Sequence, residues 1–139
     1  MDETNRKIIE ILRSNARTTN AEIGKKVKLT EAAVRKRIKK LVETGAIRKF
    51  TVETEEGVGN LRAIVFITVR GQSPEVAKNL SDINGVEKVY ELTGSHDIAV
   101  LVSAPNIAVL NQTVDKMRLV SGVANTDTKM ILKEWKGND

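Results

Sequence analysis

The sequence predicts an α+β fold: a helix-turn-helix head followed by a ferredoxin-like β-α-β-β-α-β sandwich. Three observations predict it. Apolar residues recur with helical period over the first 45 positions, and from residue 61 onward β-branched strands alternate with two helical stretches. The charge also changes sign along the chain. Residues 1–50 carry 14 Lys and Arg against 6 Asp and Glu, while residues 51–139 carry 9 against 12, so a formal +5 divides into +8 and −3. A basic third joined to an acidic remainder implies two modules with different partners, the basic one facing a polyanion. The expected division is a head at 1–50, a strand and hinge linker at 51–60, and the sandwich at 61–139.

In the head, Ile8, Ile9, Ile11 and Leu12 form an apolar stripe behind a cap region at Asp2 to Asn5, and Asn15-Ala16-Arg17 ends the first helix. Thr19 followed by Glu22 has capping-box spacing and opens a short second helix with Ile23 and Val27 on one face. Lys28-Leu29 makes a tight connection to Thr30, an N-cap with Glu31 in the first turn. The third helix buries Val34, Ile38, Leu41 and Val42 and stops at Gly45. Its opposite side carries Ala32, Lys36, Lys39, Lys40 and Glu43, with Arg35 and Arg37 on the flanks. A short helix, a tight turn and a longer basic helix are the pattern of a DNA-reading unit. The alternative for such a helix alone is a solvated amphipathic face.

Residues 47–54 read as a strand, and Gly57-Val58-Gly59 as the hinge; Arg62 stands where a nucleotide-binding glycine pattern would need its third glycine. The strand at 61–69 is apolar on both faces, Ala63/Val65/Ile67/Val69 and Ile64/Phe66, so both must be covered. Ser73-Pro74-Glu75 caps and starts a helix burying Val76, Leu80 and Ile83. Strands at 86–93 and 98–103 flank the loop Gly94-Ser95-His96-Asp97. Pro105 opens a helix burying Ile107, Leu110, Val114 and Met117, and a last strand spans 123–132. Helices on one sheet face leave the other to a second copy, and a dimer suits a two-fold operator.

Other classes are excluded by composition. No cysteine means no disulfide framework, thiolate metal site or thiol nucleophile. No apolar run is longer than that at residues 98–102, far short of the roughly 20 residues of a membrane span, and the acidic start has no signal-peptide pattern, so a cytoplasmic protein is expected. One histidine beside an aspartate, with no serine nucleophile placed by pattern, gives no triad, and no loop gathers enough carboxylates for a metal. Neither an enzyme nor a resident cofactor is expected. Two glutamines and many Lys and Glu lean toward a thermophile.

Taken in order, Asp2-Glu3-Thr4-Asn5-Arg6-Lys7-Ile8-Ile9, Asn15-Ala16-Arg17, the run from Val34 to Leu41 leading into Gly45-Ala46-Ile47, the loop Gly94-Ser95-His96-Asp97, and Gly122-Val123 with Thr126 and Thr128 carry a signature. Over nearly its whole length the chain resembles the Lrp/AsnC family of prokaryotic, including archaeal, transcription regulators. Asn5 stands where that family usually has Asp, and His96 where an aromatic is common. The resemblance implies a winged helix-turn-helix, a C-terminal domain that builds dimers and often octamers, and sensing of an amino acid. Under it, Thr30, Glu31, Ala32, Arg35, Lys36 and Lys39 would face bases and phosphates in the major groove of a pseudo-palindromic operator. Arg37, Lys40, Arg48 and Lys49 would anchor the backbone.

For an amino-acid effector, Gly94 and Ser95 would offer backbone close to a carboxylate, Asp97 a partner for the ammonium, and Thr126 and Thr128 two hydroxyls on one strand face. Tyr90 and His96 would sit beside the pocket. Each has a plain alternative: a hairpin glycine, a loop-capping aspartate, β-propensity for the threonines, a loop position for His96 and an interface for Tyr90. The rival function is an architectural DNA-wrapping protein that has no effector; a weaker one is a metabolic module whose basic segment meets an acidic protein.

Overall fold

In a computed structural model the structure describes residues 1–54 and 60–138. They form two compact bodies, Met1–Thr54 and a second ending at Lys136. The expected hinge at Gly57-Val58-Gly59 lies outside the described residues.

The first body is three helices. α1 (Glu3–Ser14) is capped by Asp2, whose carboxylate accepts from the Asn5 N–H at 2.7 Å, and it buries Ile8 and Leu12. α2 (Asn20–Val27) carries the complete capping box: Thr19 accepts from the Glu22 N–H, and Glu22 accepts from the Thr19 N–H. α3 (Glu31–Glu43) is capped by Thr30, which accepts from the Ala33 N–H at 3.1 Å. Ile8, Leu12, Ile23, Val34 and Leu41 make the core, with Ile38 and Ile47 packed against it. Val42, expected in the stripe, is 44% exposed. It follows Leu41 by 100° around the helix, which carries it past the arc that α1 and α2 cover.

Residues 47–54 do not form the expected strand, and the wing implied by the resemblance shows no strand among the described residues. A strand needs a partner for its ladder. Ile47 instead donates to the Leu41 carbonyl, and beyond it Phe50 and Val52 stay exposed.

The second body has the expected β-α-β-β-α-β order: β1 (Leu61–Val69), α4 (Ser73–Ser81), β2 (Val86–Glu91), β3 (Ile98–Ala104), α5 (Ile107–Arg118) and β4 (Val123–Met130). The strands lie β2-β3-β1-β4, and every neighbouring pair is antiparallel. Ala63, Val65 and Ile67 of β1 meet Val76, Leu80, Leu110, Val114 and Met117 from the two helices, so both helices cover one sheet face.

Boundaries moved where local hydrogen bonds decided them. Ser73 is the first residue of α4 rather than its cap, and Gln72 precedes it without a side-chain bond. α5 is opened not by Pro105 but by Asn106, which accepts from the Val109 N–H at 2.9 Å. Its first residue, Ile107, is 52% exposed because it lies one turn before Leu110, the first buried residue of the helix. β2 ends at Glu91, since the Leu92 N–H turns to the Asp97 carbonyl, and β4 ends at Met130, two residues short of expectation.

Candidate functional site

The head presents its chemistry on α3. Gly24 on α2 and Leu29 in the turn set its position: the Leu29 N–H donates to the Gly24 carbonyl at 2.9 Å, and a Cβ on Gly24 would lie 2.5 Å from the Leu29 carbonyl oxygen. Gly24 thus lets the turn backbone lie directly against α2, and the helical pattern gave no reason to single it out. Lys28 takes the left-handed conformation, φ 59°, that turns the chain between the helices.

Ala32, Arg35, Lys36, Lys39 and Lys40 are all exposed, as are Arg48 and Lys49 after the helix. Lys36, Lys39 and Lys40 have no ion pair among the described residues, so their full charge faces outward. Glu31 and Arg35 are paired at 2.9 Å, one turn apart and both well exposed. Such a pair is worth only about 0.3–0.5 kcal/mol, so it orients Arg35 without withholding it from a phosphate or base.

Arg37 is tied to α1. Its guanidinium donates through Nη1 to Asp2 Oδ2 at 2.8 Å and Asn5 Oδ1 at 3.1 Å. The Asn5 N–H, followed by Arg37, holds the Asp2 carboxyl below its ordinary value. A depressed folded-state value stabilises the head above the unfolded-chain value of about 3.9, and that contribution disappears as pH falls through the lower folded value. On acidification below about pH 4, the head of the wild-type chain is therefore expected to lose melting temperature more steeply than that of Asp2→Asn, followed by circular dichroism.

The expected effector residues divide between two places. Phe66 stacks on His96 with ring centroids 5.2 Å apart, and Tyr90 lies across Ala99 from Phe66, so Tyr90 and His96 belong to the sheet face opposite the helices. That face forms an open cavity of about 700 Å³ lined by Ile64, Phe66, Tyr90, Leu92 and Leu101, with residues 131–134 along one side. Thr126 and Thr128 do share a strand face, but they pair with Ile67 and Val65 and so point to the helix side. There Arg118 of α5 donates from Nε to Thr126 Oγ1 at 3.1 Å, a contact between helix and strand that sequence could not show. One protomer does not bring the threonines together with Tyr90 and His96.

The loop itself is built around Asp97. Its carboxylate accepts from the Val69 N–H at 2.8 Å, where the β1–β4 register shifts, and its own N–H donates to the Ile67 carbonyl. Asp97 is therefore first a loop-fastening residue, with one carboxylate oxygen committed to β1. Gly94 has φ +103° and open space where a Cβ would lie, so its backbone is both glycine-dependent and approachable; Ser95 beside it is exposed. His96 Nδ1 is buried without a hydrogen-bond partner.

A capped trihelical head with unpaired lysines on its third helix, joined to an α/β sandwich with an open sheet face, defines a DNA-binding regulator carrying a separate ligand-binding domain. Family comparisons agree: residues 1–42 match the AsnC-type helix-turn-helix domain, and residues 62–139 match the Lrp/AsnC ligand binding domain. The chain belongs to the Lrp/AsnC family of transcriptional regulators, a non-enzymatic family.

Among its relatives is the HTH-type transcriptional regulator LysM of Saccharolobus solfataricus, 45% identical over 97% of this chain and 96% of that protein. Another, the regulator FL11 of Pyrococcus abyssi, is 38% identical over 98% and 92%. Among solved structures, the leucine response regulatory protein LrpA of Mycobacterium tuberculosis superposes with a TM-score of 0.85 at 25% identity, covering 99% and 96% of the two chains. A Neisseria meningitidis transcriptional regulator solved as its L-Met complex gives 0.77 at 25%, covering 99% and 93%.

Lys39 is the cleanest test of the charged surface. Lys39→Ala is expected to weaken binding to specific and mixed-sequence DNA alike and to reduce the slope of log K against log salt by about 0.9. Fluorescence anisotropy of a labelled duplex over a salt series measures both.

Proposed function

We propose that the chain is a sequence-specific regulator that binds a pseudo-palindromic operator as a homodimer and senses a free amino acid through its sheet domain. It works in the cytoplasm, on nucleoid DNA. The observation that carries the sensing is the L-Met complex of a protein with the same fold over 99% of this chain. The dimer is supported by the open sheet face, whose large apolar side chains form a patch that single soluble domains rarely leave uncovered. With two heads related by a two-fold axis, half-sites are read about 34–36 Å apart, or multiples of that.

The division of the effector residues supports a ligand site shared between copies. Gly94 and Ser95 offer free backbone for a carboxylate, Asp97 retains one oxygen for an ammonium, and Thr126 and Thr128 lie on the other side of the sheet. A neighbouring copy has to supply what one chain separates, and this favours assemblies beyond the dimer, such as an octamer. Lys36 and Arg35 read bases, whereas Lys39, Lys40, Arg48 and Lys49 hold phosphates.

Selection of genomic DNA fragments with and without amino acids and footprinting on the recovered fragments, paired with thermal shift against the twenty amino acids, test the reading. A saturable rise in melting temperature with one or a few amino acids is expected, about 2.7 kcal/mol of added stability at a hundred times Kd. Protection of DNA with no response across the panel would replace sensing with the architectural role. The absence of protection at moderate salt would remove the DNA reading.

A further inference from the structure

The geometry assigns Asp2 and Asn5 to positioning the recognition helix, acting through Arg37, which serves as an internal strut and not as a DNA contact. Three hydrogen bonds converge there. Arg37 Nη1 donates to Asp2 Oδ2 at 2.8 Å and to Asn5 Oδ1 at 3.1 Å, and the Asn5 N–H donates to Asp2 Oδ1 at 2.7 Å. One carboxylate thus caps α1 with one oxygen and holds the middle of α3 with the other. The Arg37 side chain is 35% exposed, about half the exposure of Arg35 on the opposite flank, which also marks it as part of the head's interior edge.

The strut matters because little else joins these two helices. Val34, Ile38 and Leu41 pack α3 against the core, but apolar packing is non-directional and permits small rotations of a helix about its own axis. A planar guanidinium whose Nη1 is held by two acceptors at the start of α1 fixes that rotation, since the two N–H bonds of Nη1 have set directions in the guanidinium plane. Rotating α3 would move Arg35, Lys36 and Lys39 together relative to a groove, and a binding constellation has to be held within about 0.5 Å. The ion pair itself is surface-placed and contributes little to stability. Its expected effect is on orientation, hence on specific more than on non-specific DNA binding.

The inference rests on the DNA reading of the head. Wild-type binding to a mixed-sequence duplex is therefore the control: if it is absent, that reading has failed and the strut is not at issue. The test uses the full chain, anisotropy, a fluorescein-labelled mixed-sequence duplex and the duplex recovered by genomic selection. Asp2→Asn keeps an N-cap residue of equal quality but removes the charge that holds Arg37.

Long-range electrostatics alone would tighten DNA binding by Asp2→Asn, because the head becomes more positive. Positioning gives the opposite sign. Asp2→Asn and Arg37→Gln are each expected to weaken selected-duplex binding about three- to tenfold, and the double variant no more than either single one, a coupling of the size seen for residues in direct contact. The salt slope on mixed-sequence DNA should stay at the wild-type value for both.

The strut would be overturned by tighter binding by Asp2→Asn, by additive losses in the double variant, or by a salt slope reduced by about 0.9 in Arg37→Gln alone, the mark of a phosphate contact. A lowered melting temperature with unchanged selected-duplex affinity at 25 °C would also overturn it by leaving only a structural role. Should Arg37→Gln unfold the head, Arg37→Lys and Asn5→Ala carry the same test, since lysine keeps the charge but lacks the planar fork and alanine removes the second acceptor.

Discussion

Gly24→Ala should disable the DNA-binding head while leaving the sheet domain folded. Alanine ordinarily improves a helix by about 1 kcal/mol over glycine, so propensity alone forecasts a more stable α2. The close contact forecasts the reverse. The added Cβ would stand 2.5 Å from the Leu29 carbonyl oxygen and 3.4 Å from its carbon, and both are backbone atoms of the turn that cannot rotate aside as a side chain can. Separation requires α2 and the turn to move apart. That strains the Leu29 N–H to Gly24 carbonyl bond and shifts Thr30, which caps α3.

Overpacking of this kind costs about 1–3 kcal/mol, and here part of it falls on the cap as well. For so small a unit the head's melting transition should drop by roughly 5–15 °C. Affinity for a selected duplex should fall more than about tenfold, because displacement of α3 relative to α2 exceeds the tolerance of a groove contact. Calorimetry on the full chain can follow the two bodies as separate transitions, with the sheet domain's unmoved. A variant that melts like wild type and binds DNA equally well would show that the turn yields freely, and that Gly24 is a bystander.

What could be read from sequence, and what could not, follows the distance over which each feature is decided. Thr19 with Glu22, and Thr30 with Ala33, are caps closed across three residues, so spacing reveals them. The β-α-β-β-α-β order was legible for a similar reason, since strand alternation and helical period are local. The strut from Arg37 to Asp2 crosses 35 positions, and from sequence Arg37 is only one more cation on a basic helix. The threonines' shared face was visible from their spacing of two, but which face required the register of β4 on β1. Strand propensity at 47–54 misled because a strand is made by its ladder to a second strand and not by propensity alone, and residues 47–54 join none of the described strands. Asp97 had two readings at the outset, and the 2.8 Å bond from the Val69 N–H favours the fastening one.

Phe66→Asp is expected to have the largest effect on assembly. The double-sided apolar strand at Leu61–Val69 places Ala63, Val65 and Ile67 against the helices and Ile64 and Phe66 on the open face, where Phe66 stacks on His96 and lines the cavity with Tyr90 and Leu101. In the protomer Phe66 is only half-buried, so a carboxylate there can reach water and the domain stays folded. In the proposed dimer the same position is enclosed, and two-fold symmetry introduces the charge twice. An unpaired ion sealed from water costs several kcal/mol, so dimer dissociation should rise by about a thousandfold or more.

Sedimentation at micromolar concentration should then show a monomer with wild-type circular dichroism. Specific DNA binding should weaken in parallel, because two heads no longer share one tether and lose the gain of intramolecular binding of the second half-site. Tyr90→Asp, placed at a more exposed position on the same face, should act in the same direction but less strongly. If Phe66→Asp sediments as wild type does, the open face is not the joint. Assembly would then have to run along the edge strands β2 or β4, whose outer backbone groups have no partner strand in the sheet.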